Sequence, residues 1–180
     1  DGRVHLVSGR APIGAANGQW QDHGDVAAHQ VFDPASGRWT DARPCPAPLN
    51  SATGAVIGGR LYLAGGRTVA GGNLARLDRY DPQRDAWEPL RPMPEPSGGL
   101  GGAVVGGKLY VFGGETPRSV IAKCWSYDPA TDGWSAEPDM PTPRHGLAGV
   151  GLDGRVYAMG GAVGPSAGGA SAMVEALIPG

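Results

Sequence analysis

The side chains best suited to chemistry are Arg67, Glu115, Arg144 and His145: cations, a carboxylate and an imidazole able to move protons or hold a charged ligand. Around them stands a wider polar set of Arg10, Asn50, Ser51, Asn73 and Ser97, with Arg118, His23 and Asp25 as further members. His23, Asp25 and His29 invite a metal reading. It fails on position, because His29 occupies a slot that repeats elsewhere as Leu77 and Cys124, and no His or Cys spacing matches a zinc pattern. Cys45 falls in the slot of Met93 and Met140, so both cysteines are expected to be buried, inert thiols. Two cysteines also make no disulfide framework. The chain contains no nucleophile triad and no carboxylate pair. No catalytic residue, metal or cofactor is therefore assigned.

What must position these residues is a repeat. Gly106-Gly107-Lys108-Leu109-Tyr110-Val111-Phe112-Gly113-Gly114 recurs as Gly58 to Gly66, as Asp153 to Gly161 and, more loosely, as Asp1 to Gly9. Independent landmarks keep the same period. The closing glycine (Gly66, Gly114, Gly161), the aromatic-Asp-Pro triplet (at Phe32, Tyr80, Tyr127) and a tryptophan (Trp39, Trp87, Trp134) each advance by 48 and then 47 residues.

Each repeat spells four short strands. A small apolar strand a is followed by a two-residue Gly-Gly or Asp-Gly turn, which supplies the positive φ that a tight hairpin needs. Strand b ends on the glycine pair. Strand c ends in Asp-Pro and a turn rich in Asp, Thr and Gly, and strand d opens on the tryptophan. The Pro-rich stretch that follows cannot extend a ladder. Four strands per repeat predicts an all-β propeller of antiparallel blades, each hiding its faces against its neighbours. Ala and Gly in strand a fit the crowding expected near the axis, and tyrosine on strand c with tryptophan on strand d fills the space between blades. The a–b and c–d turns then emerge on one side, the b–c and d–a connections on the other. The second kind is longer and more varied, which is where sites are found. Arg10, Asn50, Ser51, Arg67, Asn73, Ser97, Glu115, Arg144 and His145 all fall there, so they are the expected ligand-binding residues. Counting back from each glycine pair makes Asn50, Gly98 and His145 equivalent.

Lys and Arg number 15 against 17 Asp and Glu, a net charge of −2, which argues against a nucleic-acid partner. No apolar run approaches membrane-spanning length. Glycine and proline, 32 and 17 residues, are in register and so act as turn punctuation.

The glycine pair ending strand b, the tyrosine on strand c and the tryptophan six residues past the Asp of Asp-Pro resemble the kelch repeat. WD40 propellers are set aside because none of the five tryptophans precedes an Asp. The resemblance implies a kelch propeller, here an incomplete ring of about three and a half blades. Blade one would contribute strands b–d over 1–46, blade two would span 50–94, blade three 97–141, and blade four would contribute strands a–c over 146–180. The remaining blades would lie outside this chain, leaving an open arc. It also implies a binding module that offers its b–c and d–a loop face to a protein partner or a small carbohydrate-like ligand. The alternative is a carbohydrate-acting enzyme similar to the sialic-acid mutarotases, with Glu115, Arg67, Arg144 and His145 as its working groups. A galactose-oxidase-like copper site is not expected, because the cysteines sit in core slots.

Overall fold

The structure, a computed structural model, describes residues 2–166 and 168–180. Its described elements are strands, apart from one 3-10 turn at Trp20–Asp22. The first sheet holds β1 (Val4–Pro12), β2 (His23–Asp33) and β3 (Arg38–Asp41). The second holds β4 (Asn50–Ile57), β5 (Arg60–Thr68), the short β6 (Gly72–Asn73), β7 (Leu77–Asp81) and β8 (Ala86–Pro89). In the third are β9 (Gly101–Val105), β10 (Lys108–Phe112), β11 (Cys124–Asp128) and β12 (Gly133–Glu137); in the fourth, β13 (Ala148–Leu152), β14 (Arg155–Met159) and β15 (Val174–Leu177). All pairings are antiparallel meanders, as the repeat predicted. β10 spans the very residues expected for strand b. The turns before it obey the glycine argument: Gly58, Gly59, Gly106, Gly107, Asp153 and Gly154 all have positive φ. In the first copy Gly2 does so too, while Asp1 lies outside the described residues.

One element departs from expectation. The sequence reads residues 10–28 as the first b–c connection, longer than its counterparts, yet β1 continues to Pro12 and β2 begins at His23, paired as one long hairpin. The register slips between Val7 and Gly9, where Ser8 and Gly9 take φ of 62° and 125°. This bulge bends the hairpin. At its tip the Asp22 carboxylate accepts the backbone N–H groups of Gly18 and Gln19.

Neighbouring sheets are joined by a device that repeats. Asp132, at φ 48°, accepts the Tyr127 hydroxyl at 2.8 Å from its own sheet and the Arg91 N–H at 3.0 Å from the sheet before. The Trp134 indole N–H then donates to the Arg91 carbonyl at 2.9 Å. One period earlier Asp85, Tyr80, Arg43 and Trp87 make the same three bonds. The Arg91 N–H foremost, then the Tyr127 hydroxyl, hold the Asp132 carboxyl below its usual range. Burial, then the Asp85 bond, pushes the Tyr80 phenol up to about 12, so it remains a donor. Behind each latch lies an apolar layer, with Tyr62, Leu77, Met93, Leu109 and Tyr127 between the second and third sheets. Between the third and fourth lie Tyr110, Phe112, Met140 and Leu147. Cys124 is buried in the second of these layers and Cys45 in a further cluster with Leu49 and Leu63, and burial pushes the Cys124 thiol up to about 12, away from reactivity.

The inner strands β4, β9 and β13 meet where the sheets converge, and there the small residues are obligatory. A Cβ on Gly149 would stand 2.3 Å from the Gly102 carbonyl oxygen, and one on Gly102 would stand 2.6 Å from Thr53 Oγ1. The clash at Gly149 is with backbone, which offers no room to yield. Gly149→Ala is expected to destabilise the fold by on the order of 3 kcal/mol, read as a lower urea midpoint at unchanged slope. Gly107→Ala, in a turn with open space around it, should cost only about 1 kcal/mol of backbone strain.

Candidate functional site: a charged cavity on the loop rim

The residue directly after each closing glycine stands on the same rim in every sheet. In the first three sheets that residue is Arg10, Arg67 and Glu115. Hydrogen bonds between sheets hold the rim in step: the N–H of Gly66 reaches the Ser97 carbonyl and that of Gly114 the Arg144 carbonyl. Register then places Asn50 opposite Arg67, Gly98 opposite Glu115 and His145 opposite Ala162. Between these positions opens a cavity of about 650 Å³, lined by Arg10, Arg67, Asn73, Glu115 and His145 among the predicted residues. Trp20, Thr68, Thr116 and Ser166 also line it.

Glu115 is the electrostatic centre. It is only 5% exposed. Its Oε1 receives Arg67 Nη1 at 2.7 Å and faces His145 Nδ1 at 3.3 Å; its Oε2 accepts the Ser166 N–H at 2.6 Å. Its backbone carbonyl accepts the Asn73 amide at 2.6 Å. His145 Nε2 lies 3.0 Å from the Gly164 carbonyl, so both imidazole nitrogens face acceptors. One carboxylate thus ties together groups from the second, third and fourth sheets. Gly98 makes this possible, since a Cβ there would meet Asn73 Oδ1 at 2.8 Å and Arg67 side-chain carbons at 3.1 Å.

The first sheet contributes through its long hairpin. Trp20 carries the Arg10 guanidinium 4.3 Å and the Arg67 guanidinium 4.8 Å from its ring centroid. Arg67 Nε is buried with no hydrogen-bond partner among the described residues, and the indole is the electron-rich surface beside it. The Trp20 N–H donates to the Val69 carbonyl at 3.2 Å, and the Asp25 carboxylate takes the Val69 N–H at 2.8 Å and the Asn50 amide at 2.5 Å. The hairpin is thereby moored to the second sheet. Among the described residues Arg10 has no hydrogen-bonded acceptor, and it is exposed.

Four predicted residues do not line the cavity. Arg144 is the clearest correction: it is fully buried, and its guanidinium donates to the carbonyls of Ala158 and Met173 and to the Glu175 carboxylate within the fourth sheet. Its loop turns the side chain inward, where it satisfies the end of β14 and β15 instead of a ligand. Ser97 is buried, donating to the Gly113 carbonyl at 2.9 Å beneath the rim. Asn50 is buried in its bond to Asp25, and Ser51 donates to Asn50 Oδ1 at 2.8 Å. Of the further candidates, His23 is held by Asn17 and Gln19 at the hairpin tip, Asp25 moors the hairpin, and Arg118 sits in an exposed turn. Trp20 was missed as a site residue. Its signal was the length of the first connection, 24 residues from Gly9 to Asp33 against 15 from Gly66 to Asp81. Ser166, at φ 63° in a Gly/Ser/Ala stretch, had no signal.

Glycine-paired antiparallel sheets, the first three latched one to the next, with a polar cavity on the b–c and d–a rim, define a kelch-type β-propeller. The chain belongs to the KLHDC2/KLHL20/DRC7 Kelch-repeats domain family, whose model matches residues 17–164. Among solved structures it is similar to one titled "Structure of YjhT", with TM-score 0.68 and 23% identity over 77% of this chain. The chain spans about half of that structure, 53% of its length. No curated protein sequence matches it.

Removing the Glu115 carboxylate leaves Arg67, His145 and the Ser166 N–H without their acceptor. Glu115→Ala is expected to lower stability by about 3 kcal/mol, measured by urea unfolding, and Glu115→Gln by less.

Proposed function

We propose that this chain is a kelch-repeat binding module whose rim cavity takes an acidic segment of a protein partner. Kelch-repeat domains as a class serve as protein-interaction modules, and this chain belongs to such a family. The observation that carries the reading is the state of the two rim arginines. The charge of Arg67 is met by Glu115, whereas Arg10 rests on Trp20 with no acceptor among the described residues. A cation pre-positioned on a rigid indole at a cavity mouth favours a carboxylate-bearing ligand. A volume of about 650 Å³ suits a few side chains of a bound segment or one small molecule.

Chemistry on a sugar is the weaker alternative. Epimerisation needs a group free to give and take a proton. Glu115 spends both oxygens on Arg67, His145 and Ser166, and His145 faces acceptors with both nitrogens. Arg144, the remaining member of that set, is sealed in the fourth sheet.

A peptide-display selection against the full chain tests the proposal. Enriched peptides should carry Asp or Glu, bind more weakly as salt rises, and lose about tenfold in affinity to Arg10→Ala, the loss of one charge-assisted contact. Enriched peptides without acidic residues, or binding unchanged in Arg10→Ala, would overturn it. Saturable binding of sialic acid with faster anomer exchange by NMR would replace it with the enzyme reading.

A further inference from the structure

The tip of the first hairpin gathers groups that the rim cavity does not use. Asn17 is followed there by Gly18, and both are exposed and outside any strand, between β1 and the turn at Trp20–Asp22. An asparagine before a glycine sets an amide carbon beside a backbone nitrogen that no side chain shields. Around Gly18 the space is open, with nothing within 4 Å of the place a Cβ would take. The chain's other two asparagines are placed differently. Asn50 precedes Ser51 and is buried, its amide bonded to Asp25. Asn73 precedes Leu74, and its amide donates to the Glu115 carbonyl.

Two further side chains bracket the Asn17–Gly18 pair. Asp22 Oδ2 accepts the Gly18 N–H at 3.0 Å and the Gln19 N–H at 2.8 Å. A carboxylate on the Gly18 N–H stands where a general base takes a proton from an attacking nitrogen. On the other side, His23 Nε2 lies 2.6 Å from Asn17 Oδ1, and its Nδ1 lies 3.0 Å from the Gln19 carbonyl. The carbonyl only accepts, so Nδ1 carries a hydrogen; in the imidazolium form Nε2 carries one as well and donates to Asn17 Oδ1. That bond draws electrons from the amide carbon. It also meets the oxygen on which negative charge develops once the carbon is attacked. Nucleophile, base and oxyanion donor thus stand together in one short loop.

We propose that Asn17 is a site of self-catalysed deamidation, with Asp22 as base and His23 as oxyanion donor. The Gly18 nitrogen bonds to Asn17 Cγ while its proton passes to the Asp22 carboxylate, and His23 holds the oxyanion that forms. Collapse breaks the Cγ–Nδ2 bond. The nitrogen departs as ammonia, taking the proton from Asp22, and a succinimide ring remains. Water then opens the ring at either carbonyl, leaving aspartate or isoaspartate at position 17. The sum is an amide and water giving an acid and ammonia, with no change of oxidation state. Isoaspartate routes the main chain through the former side chain, directly before the two N–H groups that Asp22 gathers. Aspartate puts a second carboxylate in the same loop. Either product loosens the tip beside Trp20, the ring on which Arg10 rests. None of this depends on which ligand the cavity takes.

Peptide mapping by mass spectrometry tests it, on the full chain incubated at neutral pH either folded or unfolded in urea. Residue 17 should convert about tenfold faster in the fold than in urea, because only the fold holds Asp22 and His23 in place. Ammonia should appear in step, and in heavy-oxygen water the label should enter at residue 17. Asn50 and Asn73 serve as references and should stay intact in the folded chain. Asp22→Asn and His23→Ala should each slow conversion in the fold by about tenfold. Should either variant lose the hairpin, the comparison of folded and unfolded wild type decides alone. Conversion in the fold no faster than in urea, or folded variants that convert as fast as wild type or faster, would overturn the proposal.

Discussion

The contact between one sheet and the next is what every other feature of this protein depends on. A sheet of strands about five residues long has two apolar faces and too little of its own to cover them. Here the covering is made specific by one carboxylate on the c–d turn of the second sheet and one on that of the third. Asp85 and Asp132 sit at positive φ, each gathering a tyrosine hydroxyl from its own sheet and a backbone N–H from the sheet before. The tryptophan on strand d closes the loop by donating back to the same residue's carbonyl. Apolar packing alone would tolerate sliding. Three directional bonds at the outer edge, and backbone contact between glycines at the inner edge, leave one relative placement.

That placement makes the site. The residue after each closing glycine is an ordinary rim position in its own sheet. Only when sheets are held at fixed spacing does Arg67 come within 2.7 Å of Glu115, and Glu115 within reach of His145 and Ser166. Glu115 then serves the cavity in two ways. It removes the charge of Arg67, and it anchors the rim of three sheets, leaving Arg10 as the open cation. The first sheet enters by a different route, through a hairpin longer than its counterparts, moored by Asp25 and lined by Trp20. Cavity wall and structural joint are thus the same strands, seen at different heights.

Departures from the repeat are as informative as the repeat itself. Phe32 has no hydroxyl and Gly37 no carboxylate, where the next two sheets have Tyr80 with Asp85 and Tyr127 with Asp132. Both halves of one hydrogen bond change together, so neither is left unsatisfied. Val4, Leu6 and Trp39 of the first sheet, and Val150, Leu152 and Val174 of the fourth, remain exposed, on sheets with three strands each. His5 and His29 are a third departure: polar groups admitted to a joint, and each given a partner.

Glycine pairs, the aromatic-Asp-Pro triplet and the tryptophan determined strand order, hairpin turns and propeller class before any coordinate was known. They could do so because φ preference, alternation and turn chemistry act over a few residues. The same counting singled out Arg10, Arg67, Asn73, Glu115 and His145 as rim residues. It failed for Arg144, whose backbone position is on the rim while its side chain turns into the fourth sheet to meet two carbonyls and Glu175. It failed for Trp20 and Ser166 as well, because their roles arise from contacts with Arg67 and Glu115 in other sheets. Local chemistry writes the element and its register. Side-chain direction, partner and charge balance are set by groups tens of residues away, and those distances close only when the sheets pack.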